Sequence, residues 1–146
     1  MSKTQVTLSD GFQTTITARH HTLHADEPVA DGGTDTGLTP SEMVMGALGS
    51  CIAITMQMYA QRKGWPLEGV EIELDYERFK GADYELHDGD DRYVHEIRKG
   101  IRLQGDLSDE QRQRILDIGG KCPVHRLIAT PTYFVEQALA EEDIQS

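Results

Sequence analysis

The sequence predicts an α+β fold, and three observations carry that reading. Two short alternating runs flank Asp10-Gly11 near the start, the pattern of a β-hairpin. A long uncharged run, residues 43–60, sits between a helix-start and a helix-stop signal. Beyond it, two more alternating stretches precede a second helix-start signal. Strands gathered on either side of helices, not alternating with them one by one, indicate α+β.

Taken in order, residues 3–9 form a first strand with Val6 and Leu8 on one face. After Asp10-Gly11, Phe12, Thr14, Ile16 and Ala18 alternate again, and a third strand runs through Arg19–Ala25 toward Pro28. Residues 31–38, rich in Gly and Asp, read as a loop. Thr39 is placed as an N-cap, Pro40 as the first helical residue and Glu42 as the capping-box partner. Gly64 is a natural left-handed stop and Pro66 a breaker. This helix approaches membrane-span length, but Ser50, Thr55 and Gln57 dilute it and no second span exists. It reads as a core helix buried on nearly all sides. Its Gly46, Ser50 and Ala53, at i, i+4 and i+7, form a small-residue face that admits another helix. Residues 70–79 form a strand, 81–91 a polar acidic excursion, and 92–104 a long strand with Ile97, Ile101 and Leu103 on one side. Ser108 and Gln111 make a second capping box for a helix reaching about Lys121. The run Cys122–Ile128 is a short helical turn, 131–137 a last strand, and the acidic tail frays. A helix apolar all round is hard to cover within 146 residues, which predicts an obligate homodimer.

Composition narrows the function. The length suits one domain, 1–146, with a sizeable core. With 25 acids against 14 bases and a net charge of −11, the chain would repel nucleic-acid phosphates and anionic membranes. The polar start lacks an apolar targeting segment, so a cytoplasmic protein with reduced thiols is expected. No nucleophile elbow and no glycine-rich phosphate loop is present. Two lone cysteines, Cys51 and Cys122, are the chemistry-bearing residues.

Cys51 lies mid-helix among apolar neighbours; an inert buried thiol is the common fate of such a residue. Cys122 precedes Pro123, so it is placed at a helix N-cap, where free amide N–H groups lower a thiol pKa. His125 and Arg126 follow one turn on and add positive charge. An ordinary loop cysteine remains the alternative. Cys51, Cys122 and His125 make an incomplete zinc set. His20 and His24 share a strand face but stand about 13 Å apart at about 3.3 Å per residue, too far for one ion, so no metal is expected.

The run TPSEMVMGALGSCIAITMQMYAQRKGWPLEGVEIEL, together with KCPVHRLI, resembles the OsmC/organic hydroperoxide resistance superfamily. The resemblance spans about His21–Phe134, and MYAQRKGWPLEGVE is similar to its OsmC-like branch. It implies an OsmC-like fold: an intertwined homodimer with two antiparallel-rich sheets around central buried helices, each sheet built from both subunits. It implies reduction of small organic hydroperoxides at sites on the subunit interface, without cofactor or metal. In that scheme Cys51 is peroxidatic and Cys122 resolving, a sulfenic acid becoming a Cys51–Cys122 disulfide. An external dithiol, such as a lipoylated protein, resets it. Well-characterised family peroxidases carry a glutamate directly after the helix-starting proline and an N-terminal arginine holding the thiolate. Here Ser41 follows Pro40 and Glu42 comes one later, rotated by about 100°. Glu42 is therefore a candidate site residue better suited to capping. Arg19 and Arg126 are the candidate thiolate partners. The Ser41 departure favours a runner-up, a non-catalytic dimeric OsmC-like protein that binds a small ligand; a dithiol oxidoreductase acting on other disulfides is the third reading.

Overall fold

The computed structural model describes residues 3–87, 89 and 92–139. Two antiparallel sheets and three helices follow in the order β1 (Thr4–Leu8), β2 (Thr14–Ala18), β3 (His21–Ala25), α1 (Pro40–Lys63), β4 (Gly69–Lys80), β5 (Tyr93–Gln104), α2 (Asp109–Gly119) and α3 (Pro123–Ala129). The α+β class read from the sequence is the observed one.

Each helix begins where its end groups are satisfied. Thr39 Oγ1 accepts the Glu42 N–H at 3.2 Å while the Glu42 carboxylate accepts the Thr39 N–H at 2.8 Å. Ser108 and Gln111 repeat the exchange at the start of α2. Such reciprocal caps satisfy two donors that no helical carbonyl can reach. At the other end of α1, Gly64 adopts φ 68° and returns its N–H to the last turn, a conformation that costs a glycine little.

In the first sheet β2 is central, pairing with β1 and β3. The third strand begins at His21 instead of Arg19, because Ala18 pairs with His21 and Arg19 takes φ 56° inside the connecting turn. The second sheet is a long hairpin in which Leu74 faces Lys99 and Tyr76 faces Ile97. Paired residues share a face, so Val70, Ile72, Leu74 and Tyr76 lie on the same side as Ile97, Lys99, Ile101 and Leu103. Glu71, Glu73, Asp75 and Glu77 occupy the other side of β4.

The core lies between α1, α2 and the hairpin. Leu48, Ile52 and Met56 on α1 pack with Leu67, Leu107, Ile115 and Cys122. Gly119 at the end of α2 lets that helix approach α1 closely; a Cβ there would lie 3.1 Å from Ile52 Cγ2 and 3.2 Å from Met56 Cγ.

Three expectations are corrected within a single chain. First, α1 is buried on one side only: Leu48, Ile52, Met56, Tyr59 and Ala60 are covered, whereas Val44, Ile54 and Met58 are exposed. The hairpin, α2 and α3 pack against α1, and among the described residues no other element makes a substantial contact with it. Second, residues 131–139 adopt no regular structure. A strand needs an edge to pair with, and Tyr133, Phe134 and Val135 stand 88%, 88% and 94% exposed. Third, His20 falls in the β2–β3 turn, off the strand face that carries His24, and its ring lies 3.9 Å from that of His21. The acidic tail, residues 141–146, lies outside the described residues.

The N-terminal sheet stands apart from this core. Among the described residues it makes no substantial contact with any helix or with the hairpin, and Val6, Leu8, Phe12 and Leu23 are exposed. Beside the Ala25–Leu38 bridge, the loop after β3 is held by a staple that sequence reasoning missed. The Asp26 carboxylate, 2% exposed, accepts the N–H groups of Glu27, Thr34 and Thr36 and the hydroxyls of Thr34 and Thr36. The threonine hydroxyls hold it well below the usual carboxylate range against the opposing effect of burial.

Candidate active site: two thiols and an adjoining cleft

Two elements far apart in sequence bring the cysteines together. Cys51 sits mid-way along α1, partly buried, on the side that packs against the core. Cys122 is the N-cap of α3 and is completely buried. Its Sγ accepts the His125 N–H at 3.3 Å, and Pro123, which has no N–H to satisfy, occupies the first helical position. Contact between α1 and α3 brings the two thiols close enough for Cys51 to act on the Cys122 thiol. Both are free thiols.

The acidity of Cys122 reverses the sequence-based expectation. Burial pushes its thiol pKa up; the His125 N–H opposes this, and the neighbouring Cys51 adds to the rise by hydrogen bond and charge. The cap forms as predicted, but desolvation outweighs it. Burial thus favours the protonated form of Cys122, and the neighbouring Cys51 acts in the same direction.

The candidate charged residues fall elsewhere. Arg19 lies in the β2–β3 turn of the sheet that stands apart from α1 and α3. Arg126 is exposed on α3. Glu42 is occupied by the α1 cap. Ser41, by contrast, lines a cleft of about 710 Å³ between α1, the hairpin and α3, a volume within the ordinary range for small-molecule sites. Met45 and Leu48 from α1, Ile97 from β5 and Ile128 from α3 make its apolar wall. Tyr76, His95, Lys99 and His125 supply its polar groups. The cleft adjoins the thiols: Leu48 is one helical turn before Cys51, and His125 is the residue whose N–H holds Cys122. Sequence reasoning missed Tyr76, His95 and Lys99. Strand parity was the available signal, since 95, 97, 99, 101 and 103 share one face. Among the described residues no cluster of three or more His, Cys, Asp or Glu is arranged to hold a metal ion.

A capped cysteine meeting a cysteine of a long central helix, beside an apolar cleft, defines a dithiol protein of the α+β class. Residues 33–136 match the family described as OsmC-like protein, and the chain belongs to that family. Solved structures with the same fold include the OsmC-like protein of Mycoplasma pneumoniae, 17% identical, covering 88% of this chain and 86% of that one with a TM-score of 0.70. The organic hydroperoxide resistance protein OhrB of Bacillus subtilis is 18% identical, covering 87% and 90%, with a TM-score of 0.59. The organic hydroperoxide resistance protein OsmC of Legionella pneumophila is 13% identical, covering 87% and 89%, with a TM-score of 0.61. No curated protein matches the sequence.

Proposed function

We propose that the protein is a cytoplasmic, cysteine-based reductase of small organic hydroperoxides, working as an obligate homodimer. The observation that carries the reading is the meeting of Cys51 and the buried Cys122, where α1 touches α3, beside an apolar cleft. A Cys51 thiolate attacks the peroxide oxygen, the O–O bond breaks, and the alkoxide leaves as an alcohol after taking one proton. Cys51 is then a sulfenic acid. Cys122 attacks that sulfur; the sulfenic hydroxyl leaves as water with the Cys122 proton, and a disulfide remains. An external dithiol, a lipoylated protein being one chemical fit, reduces it by exchange. No metal or organic cofactor enters these steps.

The dimer reading is supported by the apolar surface a single chain leaves uncovered: the exposed flank of α1, the face of the N-terminal sheet, and Tyr133–Val135. Contiguous exposed apolar patches of this kind mark interaction sites. A partner is also the route by which Arg19, remote from its own α1, would reach a thiolate.

The test is peroxide consumption with a dithiol reductant, comparing cumene and tert-butyl hydroperoxides with hydrogen peroxide. The organic peroxides are expected to be consumed faster. One equivalent should form an intramolecular disulfide, with Cα atoms roughly 4.4–6.8 Å apart. Cys51→Ser abolishes turnover; Cys122→Ser permits one turnover and traps a sulfenic acid. Full activity of Cys51→Ser sinks the assignment of roles. Absence of any disulfide under excess peroxide leaves the second reading, a ligand-binding protein, which the cleft and Ser41 favour.

A further inference from the structure

We infer that His125 is the proton-transfer residue of the dithiol site: its imidazolium protonates the alkoxide that leaves the peroxide, and the neutral ring then takes the proton of Cys122 as that sulfur attacks. The inference rests on the hydroperoxide reading and adds to it the group that moves the protons. Both steps need one. An alkoxide is a strong base and leaves readily only when a donor meets it. Cys122 must attack as a thiolate, yet burial pushes its thiol pKa up, so it keeps its proton until a base takes it.

The geometry of α3 brings one residue to both tasks. His125 is the third helical residue after the Cys122 cap, and its N–H donates to Cys122 Sγ at 3.3 Å. The Cα–Cβ bonds of a helix tilt toward its N-terminus, so this side chain leans back over the cap. In a capping box the side chain at this position bonds the N-cap N–H. Here that N–H already bonds the Gly119 carbonyl, at 3.4 Å. The imidazole is left uncommitted: among the described residues neither ring nitrogen has a hydrogen-bond partner. His125 is half-buried and lines the cleft together with Leu48, one helical turn before Cys51. The other titratable groups of the cleft, Tyr76, His95 and Lys99, all come from the hairpin. None of them is among the groups acting on the Cys122 thiol, and Tyr76 and His95 are bonded to each other at 2.9 Å. An imidazole exchanges its proton near neutral pH, so a single ring serves first as acid and then as base.

The protons balance over the cycle. In the first step the Cys51 thiolate forms an S–O bond and the O–O bond breaks. The alkoxide takes the imidazolium proton, leaving a sulfenic acid, an alcohol and a neutral ring. In the second step the ring removes the Cys122 proton, the S–S bond forms and the S–O bond breaks. The ring passes that proton to the departing hydroxide, which leaves as water. Reduction by the external dithiol returns Cys51 as thiolate and Cys122 as thiol and releases one proton, which restores the imidazolium.

The test varies the leaving group. Tert-butyl hydroperoxide releases an alkoxide that needs a proton; peracetic acid releases acetate, which does not. The first step is isolated in full-length Cys122→Ser protein by quenched-flow mass spectrometry of the sulfenic acid. His125→Gln keeps the backbone N–H of the cap, and glutamine suits this helix position, so the fold is retained. In that background His125→Gln should slow oxidation by tert-butyl hydroperoxide about 10²-fold, the lower end of what acid catalysis contributes, and leave peracetic acid within about twofold. In the two-cysteine protein oxidised by peracetic acid, His125→Gln should also slow closure of the disulfide. Equal slowing with both oxidants marks a displaced thiol and overturns the proposal, as does no slowing with tert-butyl hydroperoxide. Closure of the disulfide at the wild-type rate removes the role of base. Failure of the protein with His125 intact to form sulfenic acid with either oxidant is a different result, and overturns the hydroperoxide reading itself.

Discussion

Gly119→Ala tests the packing that brings the two thiols together. The added methyl would project from the end of α2 into α1, 3.1 Å from Ile52 Cγ2 and 3.2 Å from Met56 Cγ. Both neighbours are buried to within 1% of complete coverage. Two effects oppose one another. Alanine is favoured over glycine in a helix by about 1 kcal/mol, and by less at a terminal position. Overpacking a filled core costs about 1–3 kcal/mol. The Met56 methyl end can swing aside, but its Cγ and the β-branched Ile52 cannot do so without moving α1. Overpacking therefore wins, and a net loss of about 1–2 kcal/mol is expected. For a chain near this size each kcal/mol lowers Tm by about 2–4 °C. The consequence extends to the site, because the Cys122 N–H bonds to the Gly119 carbonyl at 3.4 Å. Lifting the end of α2 carries Cys122 with it, so peroxide-driven disulfide formation should slow along with the loss of stability. Calorimetry and urea unfolding at one fixed protomer concentration measure the first, since oligomer stability depends on concentration. Mass spectrometry of the quenched protein measures the second. A variant as stable as the wild type, with disulfide formation at the wild-type rate, would refute the argument that Gly119 sets the approach of α2 to α1.

Other outcomes follow from the same geometry. In one chain a Cβ on Gly46 meets nothing within 4 Å, so Gly46→Leu should leave the protomer folded yet weaken the dimer by the usual overpacking cost of about 1–3 kcal/mol; sedimentation showing undiminished dimerisation would exclude a close helix contact there. Asp26 has its pKa depressed in the folded state by the Thr34 and Thr36 hydroxyls, so its stabilising effect is present above the unfolded carboxylate range and fades as pH falls below about 4. Urea midpoints of wild type and Asp26→Asn should accordingly differ most near neutrality and converge toward acid, and a gap that stays constant with pH would contradict the hydrogen-bond account. Arg19→Met or Arg126→Met, made in Cys122→Ser protein, should move the alkylation profile of Cys51 to higher pH, because an unpaired thiolate in an apolar wall is costly; if neither moves it, no arginine partners that thiolate.

The elements with local causes were legible in the sequence. Thr39, Pro40 and Glu42 announce the start of α1, Gly64 its end, and Ser108 with Gln111 the start of α2. These signals act within one helical turn, so a few neighbouring residues determine them. The pairing of β4 with β5 was legible from alternation, and the N-cap position of Cys122 from the proline after it. The strand expected at 131–137 was not realised: alternation marks it as able to pair, but among the described residues no strand edge pairs with it. The Asp26 staple was invisible for a related reason: its hydroxyl donors follow eight and ten positions later, with no fixed motif between them. The cleft required three elements to converge, although the parity of Lys99 on β5 was there to be read. Cys122 separates the two kinds of information most clearly. Its helix cap is a local arrangement of Cys-Pro-Val-His, and the sequence alone determined it. The direction of its pKa depends on how fully α1 and the core exclude water from the sulfur and on Cys51 lying beside it. Those are contacts between residues distant in the chain, so only the tertiary structure could decide that desolvation outweighs the cap.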